Sequence, residues 1–283
     1  MIRIAIQSKG RLSEESLGLL KEAGIKIDPL KRKFLARAAD FPLEVLFLRD
    51  DDIPAVVADG SADLGIVGLN EVEETGADVE IVRNMGFGEC RLSLAIPKEQ
   101  SYTGPAFFNG KSIATSYPNI LSRYLRQQGV SARIRTIMGS VEISPAAGIA
   151  DAIFDIVSSG GTLVSNGLSE VETVLRSEAV LISGRSLSAE KREILEKLLF
   201  RIDAVRDSAN QKYILMNIPT DKIDEAVKIL PAMRSPTVMP LAAEGWCSLH
   251  SVVRESELWD KVERLKAIGA EGILVLHLDK VID

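Results

Sequence analysis

Histidine is nearly absent: among 283 residues only His250 and His277 occur, both late and both inside strand-like apolar runs. Residues 1–249 therefore hold no Ser-His-Asp triad and no histidine-rich zinc site. Cysteine is equally scarce. Cys90 and Cys247 lie far apart, form no CxxC pair and read as buried small hydrophobes in a reducing compartment, so we expect a cytoplasmic protein. No apolar run approaches a membrane span, and the start MIRIAIQSKGRL lacks the apolar stretch of a secretory leader. The net charge is −6, and no basic patch is interleaved with aromatics, which speaks against a nucleic-acid partner. The chemistry left to the main body uses carboxylates, Arg, Lys, hydroxyls and backbone amides. That toolkit suits a transfer reaction driven by positioning and electrostatics.

The richest stretch is Ala150–Leu163, ADAIFDIVSSGGTL. A strand-like run carries Asp151 and Asp155 and ends in the small-residue loop Ser158-Ser159-Gly160-Gly161-Thr162. Such a loop can aim several N–H groups and hydroxyls at one phosphate. Acids beside it would repel a bare anion but suit a sugar phosphate, whose ribose diol or accompanying Mg²⁺ they can hold. The pattern points to a phosphoribosyl donor.

Along the chain, strands alternate with helices, which predicts a parallel α/β sheet. Ile2–Ile6 is a strand followed by a helix capped by Ser13 and ended by Gly24. Leu43–Leu48 is a strand, and one of Asp50, Asp51 and Asp52 caps the helix after it. Asp63–Val67 is a third strand. Strands at Arg91–Ile96, Lys111–Thr115, Ala132–Ile137, Val141–Ile143 and Ala152–Val157 build a second lobe, and Val180–Ile182 returns to the first. A charged helix covers Ala189–Arg206. From Lys212 the order is βαββαβ, with helices capped by Thr220 and Ser256, the ferredoxin-like split unit. A weak echo links Gly60-Ser61-Ala62-Asp63 to Gly148-Ile149-Ala150-Asp151. It marks either two related lobes or a common helix-to-strand connection.

These residues match a known family. The segments Ser8-Lys9-Gly10-Arg11-Leu12, Arg49–Pro54, Asp63–Gly68, Cys90–Ala95, Ala114–Pro118, Gly139-Ser140-Val141-Glu142 and Asp151–Leu163, with Ser235-Pro236-Thr237 and Gly269-Ala270, occur in the family's order over essentially the whole chain. The chain resembles the long, self-regulated ATP phosphoribosyltransferases of histidine biosynthesis. It departs only after Gly245, at Trp246-Cys247-Ser248, where members vary. The resemblance implies two periplasmic-binding-protein-like α/β lobes and a C-terminal ferredoxin-like (βαββαβ) regulatory domain of ACT-like form. It also implies Mg²⁺ dependence, feedback inhibition by histidine, and a homo-oligomer in dimer–hexamer equilibrium. We expect lobe I over 1–88 and 178–208, lobe II over 89–177 and the regulatory domain over 211–283.

The implied reaction joins N1 of ATP to C1 of phosphoribosyl pyrophosphate and releases pyrophosphate. For the donor we expect Glu142, Asp151, Asp155, Ser158, Ser159, Gly160, Gly161 and Thr162, with Glu142 or Asp151 on the metal. For ATP or pyrophosphate we expect Lys9, Gly10, Arg11, Arg32, Arg49, Asp63, Gly65 and Tyr117, where Tyr117 either stacks on a base or closes the lobe. Arg11, Arg49 and Asp155 are the expected catalytic residues. Asn217, Met233, Ser235, Thr237 and Val252 are the expected histidine site. His250 and His277 read as satisfied strand residues. A competing reading, a two-lobed anion-binding protein without chemistry, fits the absence of a leader poorly.

Overall fold

The computed structural model describes residues 1–27, 34–230 and 235–282. The chain divides into two compact units, Met1–Gly18 with Ile25–Ile194, and Leu19–Gly24 with Leu195–Asp283. It opens with β1 (Ile2–Gln7), α1 (Arg11–Glu22), β2 (Leu35–Arg37), β3 (Leu43–Leu48), α2 (Ile53–Ala58), β4 (Leu64–Gly68), α3 (Leu69–Thr75) and β5 (Val79–Asn84). There follow β6 (Cys90–Pro97), β7 (Ser112–Thr115), α4 (Pro118–Gln127), β8 (Arg133–Thr136), β9 (Ala152–Val157), α5 (Gly161–Ser165), β10 (Leu168–Ser177) and β11 (Ala179–Gly184). After α6 (Ala189–Ala209) come β12 (Gln211–Pro219), α7 (Ile223–Ile229), β13 (Thr237–Pro240), β14 (Trp246–Arg254), α8 (Leu258–Ala267) and β15 (Glu271–His277).

The first unit holds two sheets, ordered β2-β3-β1-β4-β11-β5 and β10-β6-β9-β7-β8. Each is mixed and contains a parallel trio, β1 with β3 and β4, and β7 with β8 and β9, while β6 runs antiparallel to β9 and β10. β11 joins the first sheet antiparallel to β4 and β5. The chain thus crosses between sheets twice, β5 to β6 and β10 to β11, giving two lobes of one α/β body. Apolar faces dictate this arrangement. Ile53 and Val57 of α2 bury against Ala5, Val67, Val180 and Ile182. Gly65, in mid-strand, permits that approach: a Cβ there would stand 2.7 Å from Ile53 and 3.1 Å from Val57 and Ile182. Ile120, Leu121 and Leu125 of α4 bury against Leu92, Ile113 and Phe154 in the second sheet.

In the second unit, β12, β13, β14 and β15 form a sheet of order β13-β14-β12-β15. This is the ferredoxin-like order. Ile214, Met216, Ile218 and Leu249 form the face that packs with Ala226, Leu258 and Leu265 of α7 and α8.

Several predicted boundaries shift. Helix α1 begins at Arg11, and Ser13 is buried within it. No side chain caps α2, α7 or α8; short 3-10 turns (Asp50–Asp52, Thr220–Lys222, Glu255–Glu257) lead into each. Val141–Ile143 is a 3-10 turn and not a strand. Ser140 before it has φ +52°, following Gly139 at +84°. Two successive left-handed residues cannot continue a pleat.

Candidate functional site

The small-residue loop lies at the C-terminal end of β9, where ligands of open α/β sheets bind. Ser158, Ser159, Gly161 and Thr162 are exposed there, and Gly160 has φ +83°. Only glycine takes that conformation without strain. The chain then turns at once into α5, so its first amides have no intrahelical acceptor. Asp155 sits on β9 three residues before the loop, half-buried, its Oδ1 accepting the Ile156 N–H at 2.8 Å. Burial lifts its carboxyl to about 6, against that hydrogen bond and with help from the nearby Glu142 charge. Glu142, on the 3-10 turn Val141–Ile143, is thus near enough for its charge to act on Asp155.

Lys9, Gly10 and Arg11 are exposed at the C-terminal end of β1. Arg11 opens α1, near enough for its charge to act on the Cys90 thiol, which burial pushes up. Arg49 follows β3 and holds Asp51 in a two-pronged ion pair, Nε–Oδ1 3.0 Å and Nη2–Oδ2 2.8 Å. Arg32 and Met233 lie outside the described residues.

Three expected residues stand elsewhere. Asp151 is at the opposite end of β9 from the loop. Its N–H donates to the Ser112 carbonyl at 2.9 Å, and its Oδ2 accepts the Ser112 N–H and hydroxyl, both at 2.7 Å. Asp63 makes the same exchange in the other lobe: its N–H donates to the Arg3 carbonyl at 2.9 Å and its Oδ2 accepts the Arg3 N–H at 2.9 Å. Lys191 Nζ donates to the other oxygen of Asp63 at 2.6 Å. Both aspartates lock a parallel strand pair at its N-terminal edge. The echo between the two segments is therefore structural, one lock per lobe. Gly65 is buried in the first sheet under α2.

Tyr117 is buried, with its hydroxyl engaged by α3. Its hydroxyl donates to Glu71 Oε1 at 2.9 Å and accepts from Asn70 Nδ2 at 3.3 Å. Asn70 Nδ2 also donates to Glu71 Oε1 at 2.8 Å, and the Ser177 hydroxyl donates to Asn70 Oδ1 at 2.8 Å. Burial lifts Glu71 to about 7. Sequence reasoning missed Asn70, Glu71 and Ser177, because α3 and β10 carry no clear apolar period. It also gave no role to Arg91, whose Nη1 donates to the Ser158 carbonyl at 3.0 Å. A cavity of about 400 Å³ brings Ser158 together with Leu69, Cys90, Arg91, Arg176 and Ser177. Among the described residues, no group of three or more His, Cys, Asp or Glu forms a metal cage.

In the second unit, Asn217 pairs with Ser248, Thr237 with His250 and Val252 with Tyr213. Asn217, Thr237 and Val252 thus share the face of the sheet away from α7 and α8; Ser235 is exposed just before β13. His250 lies on that face with both ring nitrogens engaged, by the Tyr213 hydroxyl at 2.8 Å and the Ser248 hydroxyl at 2.9 Å.

Comparison with known proteins is decisive. A family profile described as ATP phosphoribosyltransferase matches residues 49–204, and one described as HisG, C-terminal domain matches residues 209–280. The ATP phosphoribosyltransferase of Bacteroides thetaiotaomicron is 58% identical over 282 residues, covering 100% of both chains. That of Cytophaga hutchinsonii is 55% identical over 282 residues, covering 100% of this chain and 99% of its own. A solved chain of the ATP phosphoribosyl transferase (HisG:HisZ) complex from Thermotoga maritima superposes with TM-score 0.62 at 29% identity, covering 72% of this chain and 99% of that one. The substrate-binding protein of an amino acid ABC transporter shares the two-lobed fold alone, at TM-score 0.50 and 11% identity over 74% of this chain and 94% of its own. With a matched profile over more than half its length and full-length relatives above 50% identity, this chain belongs to the ATP phosphoribosyltransferase family.

Proposed function

We propose that the chain transfers the phosphoribosyl group of phosphoribosyl pyrophosphate to N1 of ATP, releasing pyrophosphate, as the first step of histidine biosynthesis. The observation that carries the site assignment is the open loop 158–162 at the C-terminal end of β9, with Asp155 three residues before it on the same strand and the Glu142 charge acting on Asp155. Adenine N1 has a free lone pair, so attack needs no strong base. The barrier is rupture of the C1–O bond, which places positive charge on the ribose and negative charge on the departing pyrophosphate. Loop amides and the Ser158, Ser159 and Thr162 hydroxyls grip the 5-phosphate. Asp155 holds the ribose hydroxyls and faces the developing positive charge. Lys9, Arg11 and Arg49, with Gly10 giving backbone access, take the pyrophosphate side.

Mg²⁺ suits this donor set. The ion usually takes one or two carboxylates plus substrate phosphates, so no full protein cage is needed. Asp155 is held high by burial and by the Glu142 charge, and a cation held by these carboxylates would relieve both costs. Glu142 and Asp155 are the residues that would hold it; Asp151 is engaged by Ser112 instead. Bound there, the ion would offset charge on the departing pyrophosphate.

The second unit is read as the histidine sensor. Asn217, Ser235 and Thr237 offer polar groups and Val252 an apolar one. Leu274 and Leu276 on the same sheet face are 55% and 48% exposed and suit burial in a homo-oligomer, a dimer–hexamer equilibrium in this reading. Free Cys90 and Cys247 are in keeping with a cytoplasmic enzyme.

The test is turnover with ATP, phosphoribosyl pyrophosphate and Mg²⁺, followed by near-UV absorbance and pyrophosphate release. Asp155→Asn and Gly160→Val should each lower turnover by ~10² or more, with circular dichroism unchanged. Folded variants with near-normal rates would refute the loop assignment.

A further inference from the structure

We propose that Arg91 is a positioning residue that fixes the peptide plane between Ser158 and Ser159 and so aims the loop at the donor's phosphate. The proposal rests on the loop reading above and names the device that keeps the loop competent.

Arg91 lies on β6, opposite Val157 of β9 and Arg176 of β10, one step before the loop begins. Its guanidinium works on two sides. Nε and Nη2 each donate to Glu170 at 2.5 Å, one to each carboxylate oxygen. Nη1 donates to the Ser158 carbonyl at 3.0 Å. Glu170 is itself fixed: Oε1 also accepts the Ser93 hydroxyl at 2.7 Å and the Thr173 hydroxyl at 3.3 Å. A two-pronged carboxylate grip removes the rotational freedom a single contact would leave.

The consequence follows from peptide geometry. In a trans peptide the C=O and the next N–H point in opposite directions. Holding the Ser158 carbonyl toward Arg91 therefore turns the Ser159 N–H away from Arg91. The loop has little else to resist a flip of this plane. Its other hydrogen bonds lie beyond it: the Gly161 N–H donates to Ser159 Oγ at 3.5 Å, and the Gly160, Gly161 and Thr162 carbonyls accept from the Val164 N–H at 3.2 Å, the Ser165 hydroxyl at 2.9 Å and Asn166 Nδ2 at 2.9 Å; two of its five residues are glycine. A flipped plane would replace an N–H donor by a carbonyl oxygen and repel a phosphate.

The test is steady-state kinetics with each substrate varied, on Arg91→Met, Arg91→Lys, Glu170→Gln and, as the loop's own control, Thr162→Val. Arg91→Met should raise KM for phosphoribosyl pyrophosphate by ~10-fold or more and leave KM for ATP within about twofold. Arg91→Lys should recover only part, because an ammonium cannot hold a carboxylate and a carbonyl in one plane. Glu170→Gln, nearly isosteric, should show the same donor-selective rise to a smaller extent, and combined with Arg91→Met should add nothing further. If Thr162→Val raises donor KM but folded Arg91→Met does not, the loop reading stands and Arg91 has no positioning role. If neither raises it, both fall. Should Arg91→Met fail to fold, an unchanged donor KM in Glu170→Gln overturns the proposal by itself.

Discussion

Asp63 and Asp151 show how one residue type in one local pattern can serve structure in two places. Each closes a ring with the first residues of a neighbouring parallel strand, donating its N–H and accepting an N–H in return. The Gly-x-Ala-Asp pattern was legible in the sequence, and so was its repetition. Its purpose was not, because an aspartate before a strand looks the same whether it faces solvent, a ligand or a backbone amide. Asp155, four residues on, differs by lying near the ligand end of the same strand. We therefore expect Asp151→Asn to lower unfolding free energy by about 1–2 kcal/mol, the worth of hydrogen bonds to a charged acceptor, with turnover close to wild type. Chemical denaturation alongside the turnover assay checks this. A hundredfold rate loss at unchanged stability would return Asp151 to the donor site. The Ser112 contacts hold its carboxyl below the ordinary range, so the contribution is present near neutral pH and fades as acid protonates it.

Helix α4 depends on a residue from the other lobe. It begins with Pro118, which has no N–H, and Tyr117 supplies no side-chain cap. The next two amides, Asn119 and Ile120, donate instead to Glu74 of α3, at 2.8 and 2.9 Å, one to each carboxylate oxygen. Arg123 one turn on reaches Glu73 at 3.1 Å. Glu74→Ala should cost about 1 kcal/mol, as loss of a cap does, and Glu74→Gln should restore part of it. Equal unfolding midpoints for wild type and Glu74→Ala would show the cap to be idle. No one-dimensional pattern announces a cap supplied from 45 residues away. The same limit explains other misses. β10 sits at a sheet edge and carries Glu170, Glu172 and Thr173 among its apolar residues, so its period is blurred. By contrast β12, with strictly alternating burial, and α4, with one apolar stripe, were readable directly.

At the scale of the whole catalytic unit, the buried Glu71 makes stability respond to pH near neutrality. It joins α3 of one lobe to Tyr117 of the other. Burial raises its carboxyl from the ordinary 4.5 to about 7; the Tyr117 hydroxyl opposes the rise, and Asp50, Asp51 and Glu74 add to it. The folded protein thus keeps this proton through a window in which the unfolded chain has released it. Stability from this source is full below about 4.5, falls as pH rises to about 7, and is level above. Glu71→Gln removes the dependence, so wild type should lose up to about 3 kcal/mol relative to that variant across the window. Parallel stability–pH curves would show that Glu71 titrates normally. The two-lobed plan and the terminal βαββαβ unit were legible because alternating elements and their order constrain topology strongly. The contacts that join the lobes were not, since they pair residues more than 40 positions apart.

The central claim is that the bend after Val157 grips the donor's terminal phosphoryl group. The most direct measurement is difference density from crystals soaked with phosphoribosyl pyrophosphate and Mg²⁺. The account predicts a phosphate peak within hydrogen-bond reach of the Ser159–Thr162 amides, with the ribose beside Asp155. A donor bound in the crystal while those amides face only water would contradict it.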